Sequence, residues 1–189
     1  MAGSNGTTPM KTHHTFVAIV EDKPGVLNRV ASLFRRRAFN IESLTVGPTD
    51  QPGVSRMTIV MEADESMARR VEANLYKLVN VLKVEDVTDA QFVERELALI
   101  KVSADPENRA QVLQVCDVFR ARVVDVAPEA LIVEITGDGD KIESMLEVLR
   151  PFGIVETVRT GKVAMTRGAE APTYNPEFVH ARIPEDMNE

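Results

Sequence analysis

The chain has 189 residues, 44% of them hydrophobic and 27% charged, enough apolar length for a real core and for one or two domains of about a hundred residues each. Lys and Arg number 22 against 29 Asp and Glu, and the net charge of −7 gives no bulk attraction to nucleic acid or to anionic lipid. Cys116 is the single cysteine, which excludes an intrachain disulfide and a thiolate zinc site and fits a reducing, cytoplasmic compartment; no apolar run approaches the ~18 residues needed to cross a bilayer.

Residues 1–13 are polar, rich in Gly, Ser and Thr, and lack an apolar segment behind a basic start, so they are expected to be a loose leader rather than a secretory signal. A first folded unit is expected over 14–88. Thr15 to Val20 is β-branched and aromatic and ends in the turn-forming Asp22-Lys23-Pro24-Gly25. Val26, Leu27, Val30, Leu33 and Phe34 then fall at helical spacing, with Arg35, Arg36 and Arg37 in the last turn, where cations complement the helix dipole. Asn40 to Val46 and Ser55 to Met61 are two expected antiparallel strands, joined by a connection rich in Gly and Pro. Met67, Val71, Leu75 and Leu78 mark a second helix behind Asp64, and Val81 to Val87 closes the unit as a strand.

The same order returns after a charged junction at 89–96. Leu97 to Val102 is a strand; Asp105 and Pro106 are expected to open a helix with Val112, Leu113, Cys116 and Phe119 on one side. Arg122 to Val126 and Ala130 to Ile135 make a strand pair around Pro128. Ile142, Met145, Leu146 and Leu149 mark the fourth helix, stopped at Pro151-Phe152-Gly153 before the strand Ile154 to Arg159. The fold class is therefore α+β: two tandem ferredoxin-like βαββαβ domains, the second over 97–168. Residues 169–189 carry three prolines and no periodic apolar face, and are expected to be a flexible tail. Thr15 to Val20 is apolar at both parities, which asks for a cover on the face away from the helices; a second protomer or another subunit is the simplest candidate.

Catalytic chemistry finds little to use. His13, His14 and His180 are the only histidines, and all three are expected to fall in the leader or the tail. Cys116 lies on an apolar helix side with no histidine nearby and reads as core packing. The carboxylates Glu94 and Glu96, and Glu129 and Glu134, have no pocket attached. Gly137-x-Gly139 lacks the rest of a dinucleotide or P-loop fingerprint, and Asp138 and Asp140 would repel phosphate. Arg35 to Arg37 has no interleaved aromatics for RNA and reads as a solvated helix end. No catalytic residues and no metal ligands are assigned.

The turn Asp22 to Leu27 is different. Gly25 lets the backbone approach a ligand, the first N–H groups of a helix form a carboxylate site, and Asp22 can pair with an ammonium group. Those two poles describe an α-amino acid, although an ordinary Pro-Gly turn accounts for the same residues and is the more frequent structure.

Asp22-x-Pro24-Gly25-x-Leu27 between a strand and a helix resembles the signature of ACT domains. Phe39-Asn40-Ile41-Glu42-Ser43-Leu44-Thr45-Val46, continued by Ser55-Arg56-Met57-Thr58-Ile59-Val60, closely resembles the small regulatory subunit of acetolactate synthase (acetohydroxyacid synthase). The likeness runs on through Tyr76 to Val84, Val93 to Leu97 and Arg122 to Val126, and covers His14 to Gly168. It implies a non-catalytic subunit that holds no cofactor, forms a homodimer or higher homo-oligomer, and binds a catalytic large subunit using thiamine diphosphate, magnesium and FAD. It further implies that the subunit raises that enzyme's activity and confers feedback inhibition by valine or another branched-chain amino acid. By motif position, Gly25 and Val26 would offer N–H groups to the effector carboxylate, Asp22 and Asn40 would hold its polar end, and Leu27 and Ile41 would bound its side chain. In that family the turn of one chain meets Asn40 and Ile41 of another, and relatives commonly carry Asn where Asp22 stands. Neither nucleic acid nor membrane is an expected partner. The rival reading is a stand-alone ACT-type amino-acid sensor acting on a different enzyme or regulator.

Overall fold

The computed structural model describes residues 12–169 and divides into two compact units, with chain boundaries at 92/93 and 165/166. The first unit contains β1 (Thr12–Glu21), α1 (Val26–Arg36), β2 (Ser43–Pro48), β3 (Val54–Ala63), α2 (Glu65–Leu75) and β4 (Val81–Asp86). Its antiparallel sheet has the order β2-β3-β1-β4. Phe16, Ala18 and Val20 of β1 share a buried cluster with Met57, Ile59 and Met61 of β3 and with Val26, Val30, Leu33 and Phe34 of α1. Those four α1 positions follow the helical period, so one stripe of the helix lies on one face of the sheet. Asp64 caps α2 by accepting the Met67 N–H at 2.8 Å.

The second unit contains β5 (Phe92–Ser103), α3 (Arg109–Phe119), β6 (Arg122–Val126), β7 (Ala130–Gly137), α4 (Gly139–Leu149), β8 (Ile154–Arg159) and β9 (Val163–Thr166). The antiparallel order β6-β7-β5-β8 repeats the first unit's, and β9 pairs with β5. Ala98, Ile100 and Val102 pack with Leu131, Val133 and Ile135 under Val112, Cys116, Ile142, Met145 and Leu149. A bulge recurs at the same place in each copy: Ile19 faces Lys83 but Val20 faces Val81, and Lys101 faces Glu156 but Val102 faces Ile154. Two ferredoxin-like units are thus present, as expected from the sequence.

Several expectations need correction. The first strand begins at Thr12, so His13 and His14 belong to β1 and not to a leader. His14 is buried, with Nδ1 2.8 Å from Asp86 Oδ2, and His13 Nε2 lies 3.0 Å from Glu42 Oε2. The expected junction at 89–96 is largely strand, because β5 begins at Phe92. Asn40 and Ile41 precede β2 instead of opening it. Helix α3 starts at Arg109, not at Pro106, because the Asp105 side chain folds residues 105–108 into a turn of their own. Leu113 is exposed.

The face of the first sheet away from its helices also differs from expectation. Val17, Ile19, Thr58 and Val60 are buried within the single chain, so their apolar character does not by itself require a second one. The expected leader and tail, with His180, lie outside the described residues apart from Thr12, His13 and Ala169. No described helix is long and apolar enough to cross a membrane.

Candidate functional site

The turn between β1 and α1 is set by its two ends. β1 runs out at Glu21, whose N–H donates to the Asn80 carbonyl at 2.9 Å, and the Asp22 N–H donates to the Gly53 carbonyl at 2.8 Å. The chain then reverses through Pro24 into Gly25, which stands as N-cap at φ 85°, a left-handed conformation that favours glycine, and a Cβ built there meets nothing within 4 Å. No side chain caps α1 and its first turn holds no acidic residue. The Val26 N–H is engaged by the Lys23 carbonyl at 3.3 Å, whereas the N–H groups of Gly25, Leu27 and Asn28 have no acceptor among the described residues. The arrangement is an open helix start whose free N–H donors are of the kind that bind anions.

Side chains around the turn separate into an outer and an inner set. Asp22 is exposed and unpartnered among the described residues, Leu27 is 46% exposed, and the Val26 side chain is buried in the core. Beneath them lies Glu21, buried, whose carboxylate accepts from Asn80 Nδ2 and from Lys23 Nζ at 3.2 Å; Asn80 Oδ1 in turn accepts from Arg29 Nη1 at 3.0 Å. No role was assigned to Glu21, Asn80 or Arg29 from sequence. A carboxylate ending an otherwise apolar strand was the signal that marks Glu21.

The six expected site residues fall into two groups. Asp22, Gly25, Val26 and Leu27 lie together in the turn. Asn40 and Ile41 lie beyond the other end of α1, whose 11 residues span roughly 16 Å. Asn40 is exposed, and Ile41 is half-buried against the first core. One chain does not bring the two groups together.

Elsewhere the chemistry is structural. Cys116 is 3% exposed, and burial, followed by the neighbouring Asp117, pushes its thiol above the ordinary cysteine range, away from a nucleophilic thiolate. Among the described residues no group of three or more His, Cys, Asp or Glu could hold a metal ion.

Comparison with known proteins joins this geometry to a family. Residues 16–83 match the acetohydroxyacid synthase small subunit-like ACT domain, and residues 95–168 match the small subunit of acetolactate synthase. The chain is 52% identical over 155 residues to the probable acetolactate synthase small subunit of Archaeoglobus fulgidus, covering 82% of this chain and 97% of that one. It is likewise 52% identical over 155 residues to the acetolactate synthase small subunit of Mycobacterium bovis, covering 82% and 92% respectively. The crystal structure of the small subunit from Thermotoga maritima superposes with a TM-score of 0.78 at 41% identity, covering 84% of this chain and 99% of that chain.

The first unit, with its glycine-capped and otherwise open helix start, is therefore an ACT domain, followed by a second ferredoxin-like unit. The chain as a whole belongs to the family of acetolactate synthase small subunits.

Proposed function

We propose that this chain is a non-catalytic regulatory subunit. It binds the catalytic large subunit of acetolactate synthase in the cytoplasm, raises its activity and makes it sensitive to valine or another branched-chain amino acid. The thiamine diphosphate, magnesium and FAD that the family resemblance implies belong to the catalytic partner. The observation that supports the effector role most directly is the set of acceptor-free N–H groups at Gly25, Leu27 and Asn28, beside the unpartnered Asp22. The effector carboxylate takes the N–H groups and its ammonium takes Asp22, while Leu27 borders the aliphatic side chain. Because Asn40 and Ile41 stand at the far end of α1, they complete the site from a second copy of the chain. An effector held between two protomers binds one dimer arrangement better than another, and that difference is what reaches the catalytic subunit.

The test is calorimetric titration of the full chain with valine, leucine and isoleucine, paired with turnover of the catalytic subunit in the presence of each. Saturable binding of one of them together with inhibition of the reconstituted enzyme is expected. Binding without any effect on that enzyme would favour a stand-alone sensor, and no binding at all would remove the effector role.

A further inference from the structure

We infer that Glu21 and Asn80 are positioning residues for the effector turn, an assignment that rests on the effector reading above. Asn80, between α2 and β4, meets the turn three times. Its carbonyl accepts the Glu21 N–H at 2.9 Å, its Nδ2 donates to Glu21 Oε2, and its Oδ1 accepts from Arg29 Nη1 at 3.0 Å. One side chain thus ties the last residue of β1 to the first turn of α1, on either side of Gly25. Glu21 is buried and uses its other oxygen to hold Lys23 Nζ at 3.2 Å. Lys23 is the cation inside the turn, so this pairing commits the turn's own positive charge inward and leaves Asp22 as its unpaired charge.

The second unit supplies an internal control. Its corresponding turn makes the same two backbone bonds, Ser103 N–H to the Gly153 carbonyl at 2.9 Å and Ala104 N–H to the Glu129 carbonyl at 2.8 Å. Serine and glycine stand there in place of Glu21 and Asn80, so the fold forms this turn without a buried carboxylate and its amide. A carboxylate taken out of water is costly unless its donors are in place, and such a pair is justified where it fixes a geometry that something else uses. Fixing the turn beforehand removes part of the ordering cost of binding.

The experiment uses the full chain reconstituted with its catalytic subunit, and reads the valine concentration that gives half-maximal inhibition. Asn80→Asp keeps the acceptor for Arg29 but sets a carboxylate against Glu21. The double change Glu21→Gln with Asn80→Asp restores the bond with donor and acceptor exchanged. Asn80→Asp is expected to raise the half-inhibition concentration about tenfold, the order expected for a lost hydrogen bond to a charged group, and the double variant to return it to within about threefold of the parent. Activation of the catalytic subunit reports that each variant is folded. A single variant within about twofold of the parent, or a double variant no closer to the parent than the single, would overturn the assignment. If Asn80→Asp does not activate, the double variant decides: activation with inhibition near the parent supports positioning, while activation without inhibition, or no activation, overturns it. A parent enzyme indifferent to valine, leucine and isoleucine would instead overturn the effector reading and this inference with it.

Discussion

The two units carry the same strand-to-helix turn, and the chain has closed one copy and left the other open. Matching the shared backbone bonds sets Asp22-Lys23-Pro24-Gly25 against Ala104-Asp105-Pro106-Glu107, proline against proline. In the second copy Asp105 Oδ1 accepts from the Glu107 N–H at 2.8 Å and the Asn108 N–H at 3.0 Å. Arg109, which stands where the first copy has Leu27, donates to the carbonyls of Ala104, Ala127 and Pro128. In this turn the Glu107 N–H, counterpart of Gly25, is thus met by the chain's own aspartate side chain, the Arg109 N–H, counterpart of Leu27, by the Asp105 carbonyl at 2.9 Å, and the turn's carbonyls by its own arginine. In the first copy the aspartate has moved one place back to Asp22, glycine replaces glutamate, and the N–H groups of Gly25, Leu27 and Asn28 stay without an acceptor among the described residues. Helices α2 and α4 are capped by Asp64 and Asp138, whereas α1 and α3 have no side-chain cap; those two differ in Asp105, which accepts from the N–H groups just ahead of α3. The two turns thus differ in where one carboxylate sits.

If that contrast governs function, closing the open turn should abolish regulation. Gly25→Asp places a carboxylate at the helix start and forces a side chain into φ 85°. Valine inhibition of the reconstituted enzyme is expected to disappear, with half-inhibition raised more than about fiftyfold; ordinary inhibition would show that the effector binds elsewhere. Asn40→Ala is expected to act less strongly, raising half-inhibition about fivefold with a smaller effect on activation, because one hydrogen bond is lost while the N–H groups of the turn and Asp22 remain. Equal loss of inhibition and activation would mean that Asn40 supports the fold and not the ligand. Uncapping the closed turn is a change of another kind. Asp105→Ala should cost about 1 kcal/mol and lower Tm by roughly 2–4 °C while leaving valine inhibition where it was. A change in inhibition would show that the second unit also takes part in effector recognition.

Much of this architecture was legible in the sequence because it rests on local periodicity. Val26, Val30, Leu33 and Phe34 announce α1, and β-branched runs announce the central strands. The Gly25 turn was legible too, since a Pro-Gly pair between a strand and a helix is local chemistry. What escaped depends on partners distant along the chain. His14 looked like part of a polar leader because Asp86, which accepts it into a buried strand, is 72 residues away. Strand β9 is only four residues long, and it pairs with β5, which begins at Phe92, four residues before its pairing with β7 starts at Glu96. Glu21 and Asn80 were visible as letters, but their pairing across 59 residues was not. Asn40 was placed in a strand because Ile41 and Leu44 continue an apolar run, whereas the backbone does not enter the sheet until Ser43.

The same contrast between units recurs where the second helix of each faces its last strand, and it yields the smallest effect and the one that pH can read. In the second unit Glu143 of α4 is met by Arg159 of β8, Oε2 to Nη1 at 3.1 Å. In the first, Glu72 of α2 faces Asp86 and Glu85 of β4, and its carboxyl is pushed above the ordinary glutamate range, first by desolvation and then by those two like charges. A carboxyl with a folded pKa above its unfolded one leaves the folded chain binding more protons between the two values. Stability therefore falls as pH rises through that window. Glu72→Gln removes the repelling charge, so at about pH 7 it should raise Tm by roughly 1 °C, and the gain should vanish below about pH 4, where the parent residue is protonated whether folded or not. Glu143→Gln, which removes an attraction, should leave Tm unchanged or lower at about pH 7. Thermal melts of both variants and the parent across this range decide the matter: a Glu72→Gln difference that is negative at neutral pH, or that does not vary with pH, would mean that the helix-strand edge of the first unit is not repulsive.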